Sequence, residues 1–352
     1  MGKKIGDILA CWYSDHKRDL PWRKTKDPYA IWVSEIVLQQ TRVDQGIAYY
    51  QNFMARFPNL QSLAEAEIEE ILKVWQGLGY YSRARNMHAA AGQVIVDYGG
   101  EFPSSYGEML KLKGIGPYTA AAISSIVFNE PRAVIDGNVH RVIARLFGLF
   151  EVPGLAGEKC RICQQADAML DRANPGNFNQ AIMEFGALVC TPANPSCLSC
   201  PLQRHCVAFG KNQVKELPVR KKKLKQKHRY FHYLILQSGN SILIRQRTAK
   251  DIWQHLFEFP LIETPRPIST VRLMESPSWQ QIFGNTEVNA FKVSKKIRHF
   301  LTHQVIHAKF YHLDHIPSNM LTGSPFLEVP ISEISNYPVP KLIENYLQIL
   351  SD

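Results

Sequence analysis

The 352-residue chain has no apolar run long enough to cross a bilayer. Its opening, Met1-Gly-Lys-Lys-Ile-Gly6, lacks the apolar core of a secretory signal. With neither Ser nor Thr at position 6, it does not read as a myristoylation site. These absences lead to the expectation of a cytoplasmic protein. Cysteine is scarce, and in a reducing compartment seven thiols do not make a disulfide framework. No fixed-period repeat of the solenoid kind is present. Acidic residues are in deficit, 31 against 41 Lys and Arg, for a net charge of +10. Most of that deficit is local: Val219–Arg229, "VRKKKLKQKHR", holds seven Lys or Arg and no acid, leaving +3 for the rest. Bulk charge is therefore weak evidence for a nucleic-acid partner. The run reads as a solvated linker, with phosphate contact as the sharper alternative.

What is present is ordinary for a globular protein: 45% hydrophobic and 20% charged residues, in a chain long enough for two domains. Up to about residue 210 the texture is helical, with apolar residues at three- and four-residue intervals in Ile68–Trp75, Ala120–Phe128 and Val139–Leu149. After the basic run, "YFHYLILQ" (230–237), a glycine-containing turn and "SILIRQR" (241–247) read as a β-hairpin. "VPKLIENYLQIL" (339–350) reads as a helix with Ile343, Tyr346, Leu347 and Leu350 inward. The expected fold class is a mainly α N-terminal region followed by an α+β domain.

Three stretches carry chemistry. In "IWVSEIVLQQT" (31–41), Glu35 shares a helical face with Ile31 and Leu38, where burial would favour its protonated form. In "AVIDGNVHRVIARLFGL" (133–149), Asp136 precedes a helix. Alone it reads as an N-cap, or else as a carboxylate kept ionised at a helix entrance. Two carboxylates in contrasting settings suit N-glycosidic cleavage: one acid for the leaving group, one anion for oxocarbenium charge. Third, Cys190-x6-Cys197-x2-Cys200-x5-Cys206 can wrap one inorganic centre; its spacers favour iron–sulfur, with zinc as the rival. Cys160 and Cys163 form a lone CxxC that reads as structural, and Cys11 is expected to pack as a small buried hydrophobe. Gly114 and Gly116 in "LKGIGPYTAAAISSIVF" (112–128) precede a helix that starts at Pro117. That turn could expose N–H groups to a phosphate, or simply connect two helices.

Helix–hairpin–helix, "DGNVHR" and the cysteine spacing together resemble the endonuclease III superfamily of base-excision DNA glycosylases. "LPWR" (20–23), "SEIVLQQT" (34–41) and "GLGYYSRARN" (77–86) resemble its MutY-type adenine DNA glycosylases. The resemblance is dense over residues 5–210 and looser beyond. It implies removal of adenine from A:8-oxoguanine or A:G mispairs in double-stranded DNA, after the base leaves the stack. It implies a [4Fe–4S] cluster on Cys190, Cys197, Cys200 and Cys206. Glu35 would be the general acid, Asp136 the stabiliser of the sugar cation, Asn138 a hydrogen-bonding support for that carboxylate, and Tyr118 part of the same catalytic pocket. Trp22, Arg23, Leu38 and Gln180 would border the extruded base, and Gln40 and Tyr80 would enter the duplex. Tyr118 stands where lyase-active relatives carry lysine, so a monofunctional glycosylase is expected. His140 stands where some relatives carry another lysine.

By the same resemblance, residues 1–214 form the helix–hairpin–helix glycosylase domain with the cluster loop at 190–206. Residues 215–228 form the basic connector, and 229–352 a Nudix-like lesion-recognition domain. "WQHLFEFP" (253–260) carries that likeness, without the acid-rich box of pyrophosphate hydrolases. The family's recognition loop is Phe-Ser-His, and here it reads Leu301-Thr302-His303. The cluster loop "TPANPS" (191–196) has no basic residue, though Arg204 and His205 remain. His299, His303 and His307 recur every four residues, but a strand-and-loop context would separate them. A monomer is expected, associated with the nucleoid through DNA. Two rivals remain: a superfamily glycosylase for another base, or a non-catalytic iron–sulfur DNA-binding or redox-sensing module. Tyr118 with the second domain opposes a pyrimidine enzyme, and the retained Glu35 and Asp136 oppose the silent module.

Overall fold

The computed structural model describes residues 2–152, 160–219, 225–284, 290–313 and 325–351. Residues 220–224 of the basic run lie outside the described residues. By contact the chain divides into two compact units: Met1–Glu65 with Asn86–Lys222, and Ala66–Arg85 with Lys223–Asp352. Residues 66–85, placed with the helical region from sequence, thus group with the second unit.

The longer elements of the first unit are helices: α1 (Gly2–His16), α2 (Pro28–Val37), α3 (Val43–Arg56), most of α4 (Ser82–Tyr98), α5 (Pro117–Phe128), α6 (Gly137–Phe147), α7 (Arg161–Met169) and α8 (Pro175–Leu188). Ile5 and Leu9 of α1, Val142 and Ile143 of α6, Ile162 of α7, and Ile182 and Phe185 of α8 form one buried core. Cys190, Cys200 and Cys206 pack against it. Ile5 and Leu9 lie four apart on the inner face of α1; Cys11 falls off that face and is exposed, contrary to the buried packing expected of it. Cys160 and Cys163 are joined by a disulfide at the start of α7, which the reducing-compartment expectation did not include.

The second unit is built on a mixed sheet: β1 (Lys227–Ser238), β2 (Ser241–Gln246), β3 (Phe257–Glu258), β4 (Leu261–Thr264), β5 (Ala290–Val293), β6 (Ile297–Phe300), β7 (Gln304–Leu313) and β8 (Phe326–Pro330). Its helices are α9 (Thr270–Met274), α10 (Pro277–Phe283) and α11 (Lys341–Ser351). β1 and β2 make the expected antiparallel hairpin, while β1 runs parallel to β7 from Lys227↔Gln304 to Leu236↔Leu313. One face carries Leu234, Leu236 and Tyr311 under Leu273, Trp279 and Phe283 of α9 and α10. On the other face, Tyr346 of α11 stacks on Phe310 at 3.6 Å. Cover on both faces explains why Phe231 to Leu236 is buried throughout instead of alternating. In α11, Ile343 and Tyr346 are buried and Leu347 is half-buried; the side chain of Leu350 lies outside the described residues. His299 sits on β6, His303 in the following turn and His307 on β7.

Candidate active site

Asp27 caps α2 by accepting from the Tyr29 N–H at 3.0 Å, and Pro28 takes the first helical position. Every residue from Tyr29 to Val37 is buried, so this helix is apolar nearly all round and Glu35 goes inside with it. Glu35 as a residue is only 8% exposed. Tyr118, on the first turn of α5, donates to Glu35 Oε2 at 2.5 Å and lies 3.9 Å from Met183 Sδ. Burial pushes Glu35 up to about 7, with Asp136's charge adding to the rise and Tyr118 and Arg23 opposing it. Burial, then the charge of Glu35, pushes Tyr118 well above its ordinary value.

Asp136 is both a helix cap and part of this cavity. Its Oδ1 accepts from the Val139 N–H at 2.7 Å, and its Oδ2 from Asn138 Nδ2 at 2.7 Å. Burial pushes its pKa up, and these bonds and Arg141 pull it back without cancelling the rise. Asp136 is therefore partly desolvated too, and its setting contrasts less with that of Glu35 than the sequence suggests. Arg141, one turn along α6, donates to Asn138 Oδ1 at 2.8 Å, to the Gly186 carbonyl at 2.7 Å and to the Cys190 carbonyl at 2.7 Å. Gly186 permits this approach, since an added Cβ would lie 2.7 Å from that of Asn138.

One cavity of about 190 Å³ is lined by Trp22, Arg23, Glu35, Leu38, Tyr118, Asp136, Asn138 and Gln180, which the sequence reading named. Gln40 lines an adjoining opening with Glu35 and Asp136. Sequence reasoning missed Glu184 and Arg18. Glu184, 2% exposed, accepts from Arg18 at 2.7–3.0 Å and from Arg23 at 2.9–3.0 Å. Burial alone would raise Glu184; the two arginines overcome it and hold the carboxyl at about 2. The available signal was spacing: Gln180 and Glu184 lie four apart on α8.

Gly114 and Gly116 lie in the turn before α5, away from the cavity lining. Gly114 has φ +77°, and an added Cβ would sit 2.6 Å from Asn86 Cβ, so glycine is required there. Gln93 Oε1 accepts from the Lys113 N–H at 2.7 Å and braces the same turn.

In the second unit, Tyr80, Thr302 and His303 line a cleft of about 580 Å³ with Trp253, Arg85 and Lys341. Tyr80 donates to or accepts from Thr302 Oγ1 at 2.5 Å. Gln40 and Tyr80 both have left-handed backbones, φ 61° and 49°, strained for side chains of their size.

Cys190, Cys197, Cys200 and Cys206 are unbonded thiols around one small cavity walled by Val189, Pro195, Phe209 and Val214. Arg145, 3% exposed, donates to Cys190 Sγ at 3.4 Å and to the carbonyls of Thr191 and Pro192 at 2.7 and 3.1 Å. Among the described residues no group of three His, Cys, Asp or Glu is gathered to hold a single metal ion. Burial pushes Cys197, Cys200 and Cys206 up, Cys200 to about 11, so an electropositive centre is needed to ionise them. An all-sulfur donor set in an apolar shell with a buried arginine fits an anionic iron–sulfur centre.

Comparison with known proteins gives the class. Residues 33–163 match the family described as HhH-GPD superfamily base excision DNA repair protein, and residues 231–348 match the NUDIX domain. A solved structure of a thermostable thymine-DNA glycosylase superposes with a TM-score of 0.55 at 29% identity, covering 60% of this chain and 97% of that one. An endonuclease III–DNA complex superposes at 0.51 and 21% identity, which supports the fold alone. The chain thus joins a helical HhH-GPD glycosylase fold to a Nudix-like domain. Within that class it is 35% identical over 301 residues to the adenine DNA glycosylase of Buchnera aphidicola subsp. Schizaphis graminum, covering 84% of this chain and 82% of that relative. It is 42% identical over 221 residues to the human adenine DNA glycosylase, covering 60% of this chain and 40% of that protein. The chain belongs to the adenine DNA glycosylase family and is a hydrolase of N-glycosyl bonds. No helix among its described residues is long and apolar enough to cross a membrane.

Proposed function

We propose that this enzyme removes adenine mispaired with 8-oxoguanine or guanine in double-stranded DNA, acting as a monomer and as a glycosylase without lyase activity. The observation that carries the reading is a buried carboxyl, Glu35, raised to about 7 and facing a second carboxyl, Asp136, across one cavity. Its 190 Å³ is below the range of drug-sized pockets and suits one extruded base.

Glu35 holds a proton near neutral pH and delivers it to the leaving adenine, at N7. As the base departs with the bonding electrons, positive charge grows on the sugar, and the Asp136 carboxylate faces it. Asn138 fixes that carboxylate by its hydrogen bond to Oδ2, and Tyr118 fixes Glu35. The Glu35 carboxylate left behind then accepts a proton from the attacking water. Tyr118 offers no amine, so no Schiff base forms and the abasic strand stays intact. Trp22, Leu38, Gln180 and the Arg23–Glu184 pair border the base; Gln40 and Tyr80 fill the duplex. The N–H groups at the Gly114–Gly116 turn hold phosphate without reading sequence. Thr302 and His303 read the lesion strand.

Cys190, Cys197, Cys200 and Cys206 would hold a [4Fe–4S] cluster, which supplies a fixed centre for the 190–206 loop. Arg141 ties that loop, through the Cys190 carbonyl, to Asn138 and so to Asp136.

The test is a panel of duplexes carrying A:8-oxoguanine, A:G, A:C or an oxidised thymine, scored for strand breakage with and without alkali. Breakage at the first two, dependent on alkali, is expected. Efficient alkali-free nicking contradicts the monofunctional reading, and preference for the oxidised thymine contradicts the substrate.

A further inference from the structure

Cys160 and Cys163 take no part in the proposed chemistry, yet they are bonded to each other where α7 begins. Cys160 is the cap of that helix: its Sγ accepts from the Cys163 N–H at 3.0 Å. The other two N–H groups of the first turn go to the Glu151 carboxylate, Arg161 at 3.1 Å and Ile162 at 3.3 Å. Three hydrogen bonds thus hold the turn besides the S–S bond. A bridge between residues three apart also closes a very short loop, which removes little freedom from the unfolded chain. As a staple the bond adds little.

The two sulfurs differ in access and in setting. Cys160 is 5% exposed and packs in the core with Ile5, Ile162 and Ala166, while Cys163 lies half-buried at the edge of that core. An incoming thiolate therefore reaches Cys163 first. The sulfur it displaces is that of Cys160, which already faces an N–H donor at the positive end of a helix, a setting that stabilises a thiolate. The Glu151 carboxylate opposes this charge and is itself offset by Arg161 at 4.0 Å. We propose that Cys160–Cys163 is a reversible thiol–disulfide site, open to dithiols, with Cys163 the sulfur attacked and Cys160 the leaving group. One thiolate of the dithiol bonds to Cys163 Sγ as the S–S bond breaks, and the electron pair leaves on Cys160, which takes a proton. The dithiol's second thiolate then attacks the dithiol's first sulfur and releases Cys163, which is protonated in turn. The protein gains two electrons and two protons, and the dithiol becomes a cyclic disulfide.

The experiment equilibrates the folded, anaerobically purified protein with reduced or oxidised dithiothreitol. Free thiols are then blocked, and the peptide spanning both cysteines is weighed. Two blocked thiols with the reduced reagent and none with the oxidised one are expected, in either order of exposure. A bridge that survives excess reduced reagent in the folded protein overturns the proposal, as does a pair that never closes. The order of attack is read with oxidised glutathione on single variants that keep the parent's thermal transition. Cys160→Ser leaves Cys163 to form the mixed disulfide, and Cys163→Ser leaves only the buried sulfur, which should react about ten-fold more slowly or worse. Equal rates, or a faster Cys163→Ser, overturn the assignment of Cys163 as the attacked sulfur.

Discussion

At the scale of residues, the decisive group is a carboxyl that its helix buries and leaves open only to the cavity it lines. Glu35→Gln keeps the hydrogen bond from Tyr118 but has no proton to give. Excision should fall about 10²- to 10⁴-fold while mispair binding persists, as single-turnover assays and filter binding would show. The same burial has a stability consequence. Folded Glu35 holds its proton up to about 7, against an ordinary 4.5. Stability present in acid is therefore lost as pH rises from 4.5 through about 7. Between pH 5.5 and 8.5 that loss amounts to about 2 kcal/mol, and denaturant titrations of Glu35→Gln should lack it. Glu184 has the opposite sign. Held at about 2, it stabilises above pH 4.5, and its contribution disappears as pH falls toward 2. Glu184→Gln should therefore show a smaller loss of stability in acid titrations, and an unchanged acid limb would contradict the ion-pair account.

At the scale of elements, helix starts organise the site. α6 begins at its cap, Asp136, and the cap carboxylate faces the cavity because that is where an N-cap side chain accepts from the first turn. The structural and functional readings of Asp136 are thus one geometry. Arg141 links this start to the cysteine loop through three acceptors. Arg141→Met should cost about 3 kcal/mol in chemical denaturation, because buried carbonyls lose a charged donor. It should also slow excision at fixed folded fraction. Unchanged stability would contradict the bridge. Much of this was legible in sequence, because local patterns fix local geometry: the Pro117 helix start, the Asp136 cap and the β1–β2 hairpin all follow from short-range rules. The Arg18–Glu184–Arg23 cluster was not, since it joins positions more than 160 residues apart, and only the Gln180–Glu184 spacing hinted at it. Cys11 was misjudged because residue type suggests burial while helix phase decides it.

At the scale of the whole molecule, contact grouping does not follow chain order: residues 66–85 group by contact with residues 223–352, while the HhH-GPD match runs through them from 33 to 163. Sequence texture cannot reveal this, since a helical stretch looks the same whichever sheet or bundle it joins. Tyr80 and Thr302, far apart in sequence, are brought together by it. The cysteine loop contributes at this scale too. Anaerobically purified protein should carry about four irons per chain, and Cys197→Ser should lose iron together with thermal stability; zinc in their place would contradict the cluster. The central claim remains proton delivery by Glu35 opposite ionised Asp136. Its most direct test is the pH profile of single-turnover adenine excision from an A:8-oxoguanine duplex. The account predicts a rate that falls about ten-fold per pH unit above a break near 7, with that limb absent in Glu35→Gln. A rate that is flat or rising between pH 7 and 9 would contradict it.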